Sequence, residues 1–421
     1  MKGKMKKSEM LRFRVAWLLG AAVLCGPAIR SASAGYSWST WNGTGNWNTT
    51  SSWENGTPPS GTESGALIKI GTVTINDSNT ISTNSLLLGW EGDFDPKEVV
   101  MTGGSLTVTG TGGDQVLAIG TSESRKSRFT QSGGNVTTNI LAYNLSGGYG
   151  VSTYTLSGGT LTVGSFVQSQ NDAYLVLSGG TLKAGQTNYN WLPQGIQVSV
   201  AAGGAIIDTQ GYSATIDTTL ADGGATEGVY GGLTVNGTGT LRLQRASTYQ
   251  GGTTVNSGTL IVTNSTGSGT GSGNVTVASG ATLGGTGILD PGTGNSVTIN
   301  GTLAPGASAG TLTIGSSGST NDVYLNGTYS AEMGDLLAVF GNLTLGTSSA
   351  LNLVGSYTPG SSYTLASYST LTGTFATINN LPAGWGITYG DTALTLGAIP
   401  EPASLALLFG GLLALSWRKR K

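Results

Sequence analysis

The chain has 421 residues, 71 of them Gly, only 10 % charged, and it contains no His, which excludes Ser-His-Asp and Cys-His catalytic machinery and His-ligated metal centres. The formal net charge is −2, but most bases sit at the two ends. The body from Gly35 to Ile399 keeps eight bases against 19 acids, a balance that repels phosphate backbones and argues against nucleic-acid binding.

Residues 1–34 read as a secretory signal peptide with an N-terminal signal helix. Lys2, Lys4, Lys6, Lys7, Arg12 and Arg14 form its basic start, and Val15 to Gly26 its apolar stretch. Ala32-Ser33-Ala34 is an A-x-A cleavage site before Gly35. The sole Cys, Cys25, falls inside this leader, so the mature protein is expected to have neither disulfides nor thiol chemistry.

Residues 35–98 read as a Trp-rich cap followed by the first strands, Thr72 to Ile75 and Ile81 to Leu88. Trp38, Trp41, Trp47 and Trp53 stand among Asn, Gly, Ser and Thr. Two readings fit this cluster. Flat indole faces beside amides can stack on sugar rings, which makes the four Trp candidate carbohydrate contacts. Alternatively they cover the open first coil of a stacked fold, which otherwise exposes apolar core and unpaired backbone groups. The acidic run Glu91-Gly92-Asp93-Phe94-Asp95 could offer oxygens to Ca²⁺, but it lacks a spaced ligand pattern and fits a solvated loop better.

From residue 99 to 320 one phrase recurs. Leu156 to Val163 reads LSGGTLTV, Leu177 to Ala184 reads LSGGTLKA, and looser versions begin at Met101, Gln131, Val200, Val255, Val277 and Ile299. Taking the first Gly at 103, 133, 158, 179 and 203, the intervals are 30, 25, 21 and 24; a second run at 258, 280 and 301 gives 22 and 21. A unit of this length repeated so often marks a solenoid. Within each phrase Gly-Gly supplies the turn, and the strand alternates, with Leu161 and Val163 pointing inward and Thr162 outward. The expected fold is all-β, a parallel β-helix with terminal β caps; coils of about 22 residues rising roughly 4.8 Å give a rod of roughly 50 Å for this region. The phrase Gly267 to Gly273, GSGTGSG, reads as its most flexible point, and without a Lys or a following helix pattern it is no phosphate loop.

Residues 321–397 carry more Tyr and Phe and read as a C-terminal β cap. Residues 398–421 form a three-part tail. Pro400-Glu401-Pro402 is a rigid break, Ala403 to Trp417 an uncharged apolar run, and Arg418, Lys419, Arg420 and Lys421 a basic stop. Fifteen helical residues span about 22 Å, short of the roughly 30 Å hydrocarbon core, so the tail suits a transient membrane helix with its bases kept cytoplasmic.

Pro-Glu-Pro, a short apolar helix and a terminal basic run together resemble the PEP-CTERM sorting signal of Gram-negative bacteria. The resemblance implies that Pro400, Glu401 and Pro402 are recognised by an exosortase, a membrane cysteine transpeptidase, as substrate residues. The body resembles the autotransporter-associated β-strand repeat, through Gly231 to Val235, Gly239 to Leu243, Thr248 to Leu260, Gly271 to Val277, Gly284 to Gly287 and Leu303 to Gly306. That resemblance covers roughly 130–350 and implies a right-handed parallel β-helix. Where autotransporters continue into a membrane barrel, the sorting tail stands instead, so the likeness does not extend to self-secretion.

The expected function is a non-enzymatic structural or adhesive protein of the cell surface or extracellular matrix. It is exported through the secretion translocon, passes through an inner-membrane intermediate and is processed by exosortase, with exopolysaccharide as a candidate partner. No cofactor, metal or nucleic acid is expected. A carbohydrate-binding module is the alternative, and a polysaccharide lyase or hydrolase a weaker one. For the latter, Asp208, Asp217 and Asp222, with Arg242 and Arg245 about one coil onward, are the best carboxylate and base candidates. Their positions also read as ordinary ends of strands.

Overall fold

The computed structural model describes residues 37–89, 97–108, 115–120, 126–145, 150–169, 172–225, 228–306, 309–318, 321–358 and 361–399. The expected signal peptide and its cleavage site at Ala32, Ala34 and Gly35, the acidic run 91–95, and the tail from Pro400 to Lys421 lie outside these residues. The rest is an all-β parallel solenoid of about 12 turns. Among the described residues no helix is long and apolar enough to cross a membrane.

The coils present up to three strand-bearing faces; among the described residues the first face carries no strand between 223 and 287 and resumes at 288–289, 311–314 and 336–339. On the first face, 71–75, 97–101, 126–131, 151–156, 173–177, 196–200 and 220–222 stack in parallel. The second face is the longest ladder, running from Thr80–Leu88 through 105–108, 135–138, 160–163, 181–184 and 205–208. It continues through 233–236, 253–255, 275–277, 296–299, 322–325 and 342–345 to 370–372. The third face stacks 65–68, 85–88, 116–119, 140–143 and 165–168, then 188–192 through 377–379.

The alternation in sequence becomes columns in space. Ile81, Leu106, Val136, Leu161, Leu182, Ile207, Val235, Val255, Val277, Ile299, Leu325 and Leu345 are ladder partners in succession, and all are buried. Each contributes about 1.5–3 kcal/mol by leaving water. The outward neighbours Thr234, Thr254, Thr276 and Thr298 form a parallel row on the wet side. Phe129 and Tyr154 stack at 4.8 Å across one coil step, and the Tyr154 hydroxyl donates to Gln131 Oε1 at 2.6 Å. Burial drives the Tyr154 phenol far above its usual range, and the nearby Tyr143 adds to the rise, so it stays neutral.

The glycine phrase does not keep one place in the coil. At Gly133-Gly134 and Gly158-Gly159 it turns the chain from the first face to the second. From residue 233 onward the repeated phrase falls at the corner between the second and third faces, as at Gly258 between Thr253–Val255 and Thr259–Val262, while Gly231-Gly232 and Gly251-Gly252 keep glycine at the corner before the second face as well. The coil from Ile196 to Asp222 has both, Gly203-Gly204 at one corner and Gln210-Gly211 at the other, with Gln210 itself at φ 57°.

Three expectations shift. Strands Ser37–Asn46 and Gly61–Ile75 precede those expected in the cap and already stack in parallel, so the solenoid begins at the first described residue. The ladder runs uninterrupted past residue 320, because 322–325, 342–345 and 370–372 keep the inward aliphatic column; strands 362–367, 385–389 and 393–398 close the end with antiparallel pairing. The segment 267–273 is packed, not loose. Thr270 is fully buried, and Gly271 lies so close under Tyr249 that a Cβ there overlaps the Tyr249 carbonyl oxygen.

Candidate functional site

The N-terminal Trp cluster is interior. Trp41, Trp47 and Trp53 are 0 %, 2 % and 3 % exposed. Trp53 meets Trp41 and Trp47 edge-on at 5.1 and 5.0 Å. Their indole N–H groups are spent locally: Trp41 Nε1 donates to the Gly43 carbonyl and Trp53 Nε1 to the Trp47 carbonyl, both at 2.8 Å. The segment after the first strand folds back over it, with the Glu54 amide donating to the Thr40 carbonyl. These three rings therefore offer no face to a sugar, which corrects the carbohydrate-contact expectation for them; buried aromatics at an open end serve to exclude water from the first coil. Trp38 is partly exposed and packs on a small side cluster with Leu87, Val116 and Ala118.

The candidate carboxylates each hold separate local partners. Asp208 accepts from the Gln210 amide at 2.8 Å and stands 3.7 Å from Lys183 Nζ. Asp217 accepts from Arg245 Nε at 2.7 Å and from Gln194 Nε2 at 3.0 Å. Burial raises the Asp217 pKa, but the hydrogen bonds from Arg245 and Gln194 and the Arg245 charge together carry it below the ordinary carboxylate range. Such a group is a poor proton donor near neutrality. Asp222 accepts from Gln250 Nε2 at 2.6 Å and from the Gly224 amide at 3.1 Å. Arg242 lies on strand Thr240–Leu243 with Thr215 and Ile261 as ladder partners. Among the described residues no group of three or more metal-ligating side chains comes together.

Sequence reasoning missed two features. A shallow groove of about 270 Å³, lined by Gly195, Ile196, Gln197, Val198, Thr218, Thr219 and Ala221, opens where the regular first-face ladder ends. Its lining is aliphatic and backbone with two Thr and one Gln, and no periodicity announces it. The other is Asp335, which is 4 % exposed. One of its oxygens accepts from the Glu332 amide at 3.0 Å while the other has no hydrogen-bond partner. Burial pushes this carboxyl above the usual range, the Glu332 amide pulls it back, and the Glu332 charge raises it further.

At the same end the chain gathers aromatics. Tyr357 meets Tyr363 edge-on at 5.2 Å, and Tyr363 stacks on Trp385 at 6.0 Å. The Tyr363 hydroxyl points to Met333 Sδ at 3.5 Å. Strand Ala393–Ala398 lies between Ser362–Ser367 and Trp385–Tyr389, so the last strand before the tail is the centre of the closing sheet.

Comparison with curated proteins finds no match. Two family models do match. Residues 233–262 fit the passenger-associated-transport-repeat, the span that holds two successive second-face strands, each with its glycine corner and third-face strand. Residues 398–421 fit the PEP-CTERM protein-sorting motif, so the chain is a parallel β-solenoid that carries the sorting motif of exported proteins directly after its last strand.

Proposed function

We propose that the protein is an exosortase-processed rod of the Gram-negative cell surface or extracellular matrix, structural or adhesive in role. The observation that carries this reading is the sorting motif placed at 398–421 behind a continuous stack of coils. The body supports it. The candidate carboxylates are tied into pairs that hold neighbouring coils together, and inward positions are filled by aliphatic columns. In this reading Pro400, Glu401 and Pro402 are the substrate residues, and Trp417 to Lys421 arrest the tail at the inner membrane until processing releases the rod.

The test is fractionation of cells expressing the full chain with Pro400→Ala, Glu401→Ala and Pro402→Ala together. The expected outcome is accumulation in the inner membrane at full length, with loss of the shortened, released form. Release and shortening at the wild-type rate overturn the assignment.

A further inference from the structure

The closing end of the rod has an apolar corner with a direction. Ile399 is 61 % exposed and Met333 47 % exposed, although most large apolar side chains of the body are buried. Ile399 is fixed by its amide donating to the Gly384 carbonyl at 2.9 Å, beside Trp385. Met333 is fixed by the Tyr363 hydroxyl, and Tyr363 and Tyr357, both half-buried, close the cluster over Trp385. One residue, Ile399, separates the last strand from the Pro-Glu-Pro break, and the uncharged run Ala403 to Trp417 follows at once.

That short tether decides what the corner meets. With the tail in the bilayer, the few residues from Ile399 to Pro402 reach at most about 14 Å even when extended. The corner from which the chain leaves is therefore held at the level of the lipid headgroups. Trp and Tyr are the side chains that favour that level, an apolar body on one side and a polar tip on the other. We propose that the corner formed by Met333, Tyr357, Tyr363 and Ile399, seated on the buried Trp385, is a docking surface for the bilayer interface, which holds the rod against the membrane while its tail awaits processing. From residue 321 to 399 the chain has the acids Asp322, Glu332, Asp335 and Asp391 and no Lys or Arg. The contact is thus apolar and interfacial, not an attraction to anionic lipid. The proposal rests on the sorting-tail reading above.

Site-directed spin labelling separates the two. The full chain with Cys25→Ser has no other Cys, so Met333→Cys, Leu408→Cys and Val229→Cys each accept one label. In phosphatidylcholine vesicles, labels at 408 and 333 are expected to collide with oxygen in preference to a polar nickel complex. The label at 229, on the side of the body, is expected to show the reverse. An aqueous ratio at 333 with a bilayer ratio at 408 overturns the docking surface and leaves the tail reading intact. Aqueous ratios at both positions overturn the tail reading and the docking with it. Concentration-dependent broadening between labels at 333 without vesicles means that a second copy covers the corner, and this also overturns the proposal.

Discussion

At the level of single residues, the two glycines of a corner are needed for different reasons. A Cβ on Gly158 overlaps the Ser132 carbonyl oxygen of the coil below, so the first glycine is required by stacking. Gly159 has φ +69°, so the second is required by backbone conformation as well. Gly280 shows the conformational demand alone, with φ +85° and open space around an added Cβ. Gly158→Ala should therefore cost about 1–3 kcal/mol through forced displacement of the neighbouring coil, and Gly280→Ala about 1–2 kcal/mol through backbone strain alone. Replacement by Asn, which tolerates positive φ, should soften the loss at 280 and not at 158. Urea denaturation midpoints of the four variants check this, and equal behaviour at the two positions removes the distinction. In the sequence both glycines look alike. The alternation of Leu161, Thr162 and Val163 was legible because period two depends only on neighbours along the chain. The overlap at Gly158 was not, because it involves a residue a full coil away.

At the level of elements, the repeat was legible and its placement was not. Counting Gly203 as equivalent to Gly179 gives 24 residues, whereas the ladder pairs Leu182 with Ile207, 25 apart. The corner after Val200 is longer, and Ile206 is turned outward while Ile207 enters the core. A motif count cannot see a turn absorb a residue. The Trp-rich start shows the same limit. Indoles among Asn and Gly read as a sugar platform or a lid, and the burial of Trp41, Trp47 and Trp53, with the backbone bridge between Trp41 and Trp53, distinguishes them. Because Trp53 touches both Trp41 and Trp47, Trp53→Ala should cost about 3–5 kcal/mol of the first coil's stability. The expected result is enhanced dye binding by newly exposed apolar surface, together with early proteolysis within 37–60. An unchanged digestion pattern argues that the lid is held by something other than these rings. The tail, by contrast, was legible as a type from its order of Pro-Glu-Pro, apolar run and bases, since such a signal is read as a linear segment.

At the level of the whole molecule, stability is distributed coil by coil, since each repeat packs chiefly on its neighbours. Thr253 pairs with Val275 and Thr254 with Thr276, so removal of residues 254–275 joins two equivalent points of adjacent coils. This deletion should leave a folded protein shorter by about one strand spacing, roughly 4.8 Å, with unchanged β content. Small-angle scattering and circular dichroism measure both, and loss of cooperative unfolding would show that the coils are not interchangeable there. One glycine corner runs straight through the coil from Ile196 to Asp222: Gly203-Gly204, Gly231-Gly232 and Gly251-Gly252 each precede a second-face strand, with the Ala205 amide donating to the Gly232 carbonyl and the Leu233 amide to the Gly252 carbonyl. A tandem copy of one coil inserted along this stretch brings glycine against glycine and strand against strand. The length of the rod is thus open to change by whole coils, gained or lost in the gene without redesign of their neighbours.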